Sequence, residues 1–198
     1  ISKGRLRSPK GMSDVSWGEV CELSEGLVGL WRDSGVDGEV LRDLKDAFGE
    51  RMYALVVRHL EASDGRVEHG LRECARRLGV ATVAGMEVLY HSPARRPLQD
   101  ILTCIRHGVT LSTAGRLIRG NSEHALCAPG KFSGLFGDDS LSVYRTNEVA
   151  ERCRFSLSEI RYRYPVERMP GEVSICEWLR ELVTEGARGR YGGEVPGD

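Results

Sequence analysis

The sequence predicts an α/β fold in which a parallel sheet of alternating strands and helices leads into a mostly helical region. Short apolar runs suited to strands alternate with helical stripes of about 10 to 15 residues, the rhythm of consecutive βαβ units. Those runs lack polar alternation, as expected when both faces of a parallel sheet are covered. After about Pro93 only helical spacings recur.

In chain order, Ser16 and Glu19 have the spacing of a capping box, in which each side chain bonds the other residue's backbone N–H, and they open a first helix. The run Gly26 to Trp31 reads as a short buried strand. Val40, Leu41, Leu44 and Phe48 form a helical stripe closed by Gly49, and Met52 to Val57 is almost wholly apolar and reads as the next strand. Val67, Leu71, Cys74, Ala75 and Leu78 form another stripe, ended by Gly79. Val80 to Ala84 reads as a third strand, continuing through Val88, Leu89 and Tyr90. Leu98, Ile101, Leu102 and Ile105 predict a helix ended by His107 and Gly108, and Gly120 to Asp139 reads as loop. Val143, Asn147, Ala150 and Cys153 predict a further helix. Ser174 and Glu177 form a second capping box before Ile175, Trp178, Leu179, Leu182 and Val183. These patterns divide the chain into residues 1–108 and 109–198.

Composition narrows the function. The 198 residues carry 28 Lys plus Arg against 29 Asp plus Glu, a net charge of -1, which excludes a polycationic tail. Hydrophobic residues make up 40%, too many for disorder along the whole chain. A chain of this length buries roughly 70% of its unfolded surface, so neither disulfides nor a metal is needed for stability. The six cysteines stand singly, without zinc spacing, and read as reduced thiols. No apolar run reaches the roughly 20 residues of a membrane helix, and no signal-peptide core is present, so the expectation is a cytoplasmic protein without membrane partners. The ends, Ile1 without a Met and Asp198 after a closed helix pattern, suggest a piece of something longer.

The sequence contains no phosphate-binding glycine loop, no nucleophile elbow and no H-E-x-x-H. It also lacks a closely spaced pair of aspartates on a strand, the Asp-x-Asp arrangement that two-metal nucleotidyl transfer requires. His59 and His91 each follow an apolar run at the expected C-terminal end of a parallel strand, where α/β folds place their sites. An extended strand would put Glu87, Leu89 and His91 on one face, making Glu87, His91 and His59 candidate metal ligands. The plainer reading is a strand-end histidine satisfied by backbone, with Glu87 paired to an arginine. His69 reads as solvated, His107 as a helix cap, and His124 as a loop residue without a signal.

Charge is uneven. Arg95, Arg96, Arg106, Arg116, Arg119 and Lys131 face only Asp100 and Glu123 between Leu89 and Lys131. Arg152, Arg154, Arg161, Arg163 and Arg168 are interleaved with Phe155, Tyr162 and Tyr164. Arginines among aromatics suit phosphate contact and base stacking, although solvated helix faces have the same pattern. The candidate nucleic-acid contacts are Arg95, Arg96, Arg106, Arg161 and Arg163.

Two runs carry a family resemblance. Leu89 to Gly108, with His91-Ser92-Pro93 and Arg95-Arg96-Pro97-Leu98-Gln99-Asp100, resembles the junction between the PHP (polymerase and histidinol phosphatase) domain and the core of bacterial C-family DNA polymerases, most closely the error-prone branch. Ala150 to Pro165, with Arg152-Cys153-Arg154-Phe155-Ser156-Leu157-Ser158, resembles the same branch further along. The resemblance implies that residues 1–108 are the C-terminal part of a PHP domain, a distorted (β/α) barrel, and that 109–198 lead into the polymerase core. It implies a parent DNA-directed DNA polymerase acting in damage-induced translesion synthesis and repair, with Mg2+, template-primer DNA and deoxynucleotides. Accessory translesion proteins and a sliding clamp are implied partners, and the catalytic palm aspartates are expected downstream of this inactive fragment. Metal-binding PHP members carry an Asp-x-His pair where this chain has Glu87-Val88-Leu89, so no resident metal is expected. Against this stand a metal-dependent PHP phosphoesterase and a non-catalytic DNA- or protein-binding module.

Overall fold

A computed structural model describes residues 1–32, 35–161 and 174–193. The chain forms two compact units, Ile1–Arg154 and Phe155–Asp198. In the first, β1 (Gly29–Trp31), β2 (Met52–Val57) and β3 (Ala81–Gly85) make a parallel sheet in the order β1-β2-β3. Leu30 is opposite Tyr53, and Val56 is opposite Ala84. This is an open three-stranded sheet.

Two short helices, α1 (Ser2–Arg7) and α2 (Trp17–Glu22), precede β1. The Ser16–Glu19 capping box is formed, and Arg7 pairs with Glu19. Between β1 and β2 runs α3 (Gly38–Phe48), opened by the Asp37 carboxylate, which accepts from the Glu39 N–H at 2.7 Å. Between β2 and β3 runs α4 (Asp64–Leu78), closed by Gly79 in the left-handed conformation (φ 63°). Val80 N–H then reaches back to the Ala75 carbonyl at 2.9 Å. The core follows the period of the strands. Met52, Ala54 and Val56 of β2 join Ala84, Trp31, Leu41, Leu44, Phe48, Leu71 and Ala75 in one buried cluster.

Past β3 come α5 (Arg96–His107), α6 (Pro129–Leu135) and α7 (Ser140–Arg152). The sequence read Gly120 to Asp139 as loop and missed α6, whose Pro129 start resembles a turn signal. Phe136, just after α6, is fully buried in the same cluster as Leu41 and Val56. The Ser142 hydroxyl on α7 lies 2.7 Å from that of Thr82 on β3. The pattern change at residue 108 therefore falls inside the first unit and does not separate two compact units.

The expected third strand is longer than the observed one. β2 ends at Val57, opposite Gly85, so the chain beyond Gly85 has no strand beside it to continue the ladder. A Cβ at Gly85 would also lie 2.5 Å from Leu55 Cδ1. The apolar Val88 to Tyr90 run instead meets residues 124–126. Leu89 N–H donates to the His124 carbonyl and Leu126 N–H to the Tyr90 carbonyl, both at 2.9 Å.

In the second unit, Ser156 and Glu159 form a capping box, and α8 (Ile175–Tyr191) opens on the Ser174–Glu177 box. Trp178 is half-buried, while Ile175, Leu179, Leu182 and Val183 are exposed. All six cysteines are free thiols. Among the described residues no helix is long and apolar enough to cross a membrane.

Candidate functional site

A polar cluster sits where β2 and β3 end. His59, two residues past β2, and His124, in the loop before α6, are 3% and 1% exposed. Their rings stack with centroids 3.8 Å apart and planes inclined by 13°. The Glu87 N–H donates to His59 Nε2 at 3.1 Å, which places the proton of the neutral ring on Nδ1. The backbone of His59 is fastened on both sides. Its N–H donates to the Asp64 carboxylate at 2.8 Å, which also accepts from Glu61 N–H at 3.1 Å, and its carbonyl accepts from Asn121 Nδ2 at 2.7 Å.

His124 lies between two carboxylates, its Nε2 3.5 Å from Glu61 Oε1 and its Nδ1 3.2 Å from Glu87 Oε2. The second contact is an ion-pair approach too oblique for a hydrogen bond, so the buried Nδ1 has no hydrogen-bond partner among the described residues. Arg119 donates to the same Glu87 oxygen at 2.7 Å, and Arg96 donates to the Arg119 carbonyl at 2.7 Å. Burial, then the neighbouring His124 ring, hold the His59 imidazole below the ordinary histidine pKa of 6.5.

Of the candidate ligands, the fold brings His59 and Glu87 together and leaves His91 apart. The shared strand face proposed for Glu87, Leu89 and His91 does not exist, because β3 stops at Gly85. His91 is exposed beside Leu89, Arg95 and Leu98. The Glu87 side chain is turned to His124 and Arg119. Among the described residues no group of three or more His, Cys, Asp or Glu side chains is placed to hold a metal ion. His124, Glu61 and Asn121 were missed in the sequence, since a loop residue has no periodicity to mark it. The one usable signal was Asn121, whose side chain accepts from Glu123 N–H in a turn.

The candidate DNA contacts separate by exposure. Arg95 and Arg106 are exposed at opposite ends of α5, whereas Arg96 is half-buried, bonded to the Arg119 carbonyl and 3.5 Å from Asp100. Arg161 is exposed in the second unit, and Arg163 lies outside the described residues.

An open parallel sheet with its polar cluster at the strand ends defines an α/β protein built on the usual side of the sheet. Comparison with known proteins makes the relationship particular. The chain is 34% identical over 199 residues to error-prone DNA polymerase 1 of Agrobacterium fabrum, covering 99% of this chain and 18% of that protein. It is 35% identical over 202 residues to error-prone DNA polymerase 1 of Rhizobium meliloti and over 192 residues to the error-prone DNA polymerase of Pseudomonas fluorescens, covering 99% and 96% of this chain and 18% of each relative. Nearly the whole chain is thus homologous to a stretch of error-prone DNA polymerases, and it spans about 18% of the length of these relatives. No family model matches the chain.

Proposed function

We propose that the chain is a segment of an error-prone DNA-directed DNA polymerase that supplies scaffold and DNA-backbone contacts, with nucleotidyl transfer performed elsewhere in the parent protein. The observation that carries this reading is identity of 34–35% sustained over 96–99% of the chain with proteins of that name. In this reading the open sheet is part of a PHP-type barrel, and the parent acts on template-primer DNA and deoxynucleotides with Mg2+ in translesion synthesis and repair. A sliding clamp and accessory translesion proteins are its proposed partners. The role assigned to this segment is consistent with its chemistry, since the charged side chains around the His59–His124 pair are engaged with one another.

The test compares the protein encoded by the complete reading frame with the 198-residue chain. Primer extension by the former with Mg2+, and neither extension nor phosphodiester cleavage by the latter, is the expected result. A complete protein that cannot extend a primer, or chelator-sensitive phosphodiester hydrolysis by the short chain, would overturn the proposal.

A further inference from the structure

We propose that the stacked His59–His124 pair is a proton-sensitive latch, which fastens residues 119–127 to the ends of β2 and β3 while the His59 imidazole is neutral and releases them when that ring is protonated, with the sheet core still folded.

The geometry opposes a positive charge on His59. Glu61 and Glu87 face the His124 ring, at 3.5 and 3.2 Å. His59 is held neutral, because its Nε2 must be an acceptor to receive the Glu87 N–H. Protonating that nitrogen makes it a donor. It loses the Glu87 N–H, can turn only to the Glu87 carbonyl 3.2 Å away, and puts a charge on a buried ring stacked 3.8 Å from the His124 ring. A charge shielded from water in this way, on a ring 3% exposed, is costly. The charged groups around the pair are Glu61 after β2, Asp64 at the start of α4, Glu87 after β3, Arg119 in the loop and Arg32 after β1. The Lys131–Glu123 pair closes the far end of the segment. Arg32 adds to the repulsion at His59.

The pair is the centre of a clamp. Around it are the Leu89–His124 and Leu126–Tyr90 backbone bonds, Asn121 on the His59 carbonyl, Arg119 on Glu87, and Arg96 of α5 on the Arg119 carbonyl. None of these residues belongs to the apolar core cluster, so opening the clamp leaves that core intact. The closed clamp also holds strain: Leu60, beside His59, has φ 55° and is the only non-glycine among the described residues in the left-handed region. An open cleft bounded by Glu61, Ser63, Arg116 and Asn121 gives solvent a route to the carboxylate side of the cluster.

The test is amide hydrogen exchange of the chain between pH 7.5 and 5, corrected for the intrinsic rate, a window above the ordinary carboxylate range. One proton taken up on opening raises the opening constant up to about tenfold per pH unit below 6.5. That rise is expected at the Leu89 and Leu126 amides and not at those of Val56 and Val83. His59→Gln, which keeps an acceptor but cannot titrate, should abolish the response. If that variant does not fold, the wild-type imidazole resonances decide, because the His59 titration must coincide with the exposure of Leu89. The proposal is overturned if opening at Leu89 and Leu126 is independent of pH, if His59→Gln responds as the wild type does, or if His59 titrates without any change in exchange.

Discussion

The hydroxyls of Thr82 on β3 and Ser142 on α7 lie 2.7 Å apart, with Ser142 wholly buried. A helix from beyond the change of sequence pattern is thereby joined to the sheet edge. Arg145, one turn further along α7, donates to the Thr82 carbonyl at 3.0 Å.

Ser142→Ala should cost about 1 kcal/mol of stability, the net worth of one neutral hydrogen bond, because Thr82 Oγ1 keeps Arg145 as a donor at 3.3 Å. Ser142→Leu should cost more, by roughly 1 to 3 kcal/mol, since the site has no room for the added carbons. Urea unfolding midpoints measure both. Wild-type midpoints in the two variants would detach α7 from the first unit.

Arg58, just past β2, bonds both oxygens of Glu68 on α4 at 2.7 and 2.8 Å, reaches Asp138, and lies over the Phe136 ring at 4.8 Å. Arg58→Met keeps the apolar stem and removes the charge. Glu68, whose side chain is 13% exposed, is left with Arg72 alone. A loss of roughly 2 to 4 kcal/mol is expected from uncovering a largely buried carboxylate. Asp138 is exposed and water-screened, so Asp138→Asn should change the unfolding midpoint little.

The same groups set the pH dependence. His59 is held below its ordinary 6.5, so the unfolded chain binds more protons as acid is added, and this part of the stability is lost as pH falls from 6.5. Glu68 is held below its ordinary 4.5, chiefly by Arg58, and its contribution is present above 4.5 and lost as pH falls below it. The unfolding free energy should therefore fall in two stages on acidification, read by urea titrations at several pH values. His59→Gln should remove the upper stage and Arg58→Met should shrink the lower.

Much of this fold was legible because its signals are local and periodic. The stripe Val67 to Leu78 specified α4, and the unbroken run Met52 to Val57 specified a strand covered on both faces. The end of β3 was not legible, because it depends on where β2 stops and on the Leu55 side chain that crosses Gly85. The polar cluster was half legible. His59 and Glu87 follow strand runs, but His124 comes 65 residues after His59 in a loop, and only the folded chain stacks them.

Gly79 and Gly108 were read as helix stops, and both are left-handed, at φ 63° and 64°. A Cβ at Gly79 would meet nothing within 4 Å, so Gly79→Ala tests backbone strain without a clash. A cost of about 1 kcal/mol is expected from the left-handed conformation alone, measured by thermal or urea unfolding. An unchanged midpoint would mean that α4 can end in another way.

The proposed DNA contacts can be separated from structural arginines by exposure. Arg95 and Arg106 are exposed, so Arg95→Ala and Arg106→Ala should leave the melting temperature nearly unchanged. In the full-length protein each should reduce the dependence of log K on log salt by about one counterion, as the loss of a phosphate contact does. Arg96 behaves differently, because its guanidinium holds the Arg119 carbonyl and Arg119 in turn holds Glu87. Arg96→Ala should lower the melting temperature and speed exchange at Leu89, with a salt slope close to that of the wild type. DNA-binding isotherms at several salt concentrations, taken with melting curves of the same variants, measure both effects. Unchanged salt slopes for Arg95→Ala and Arg106→Ala would return these side chains to ordinary solvated surface, since an arginine that neutralises a phosphate cannot be removed without retaining a counterion on the DNA.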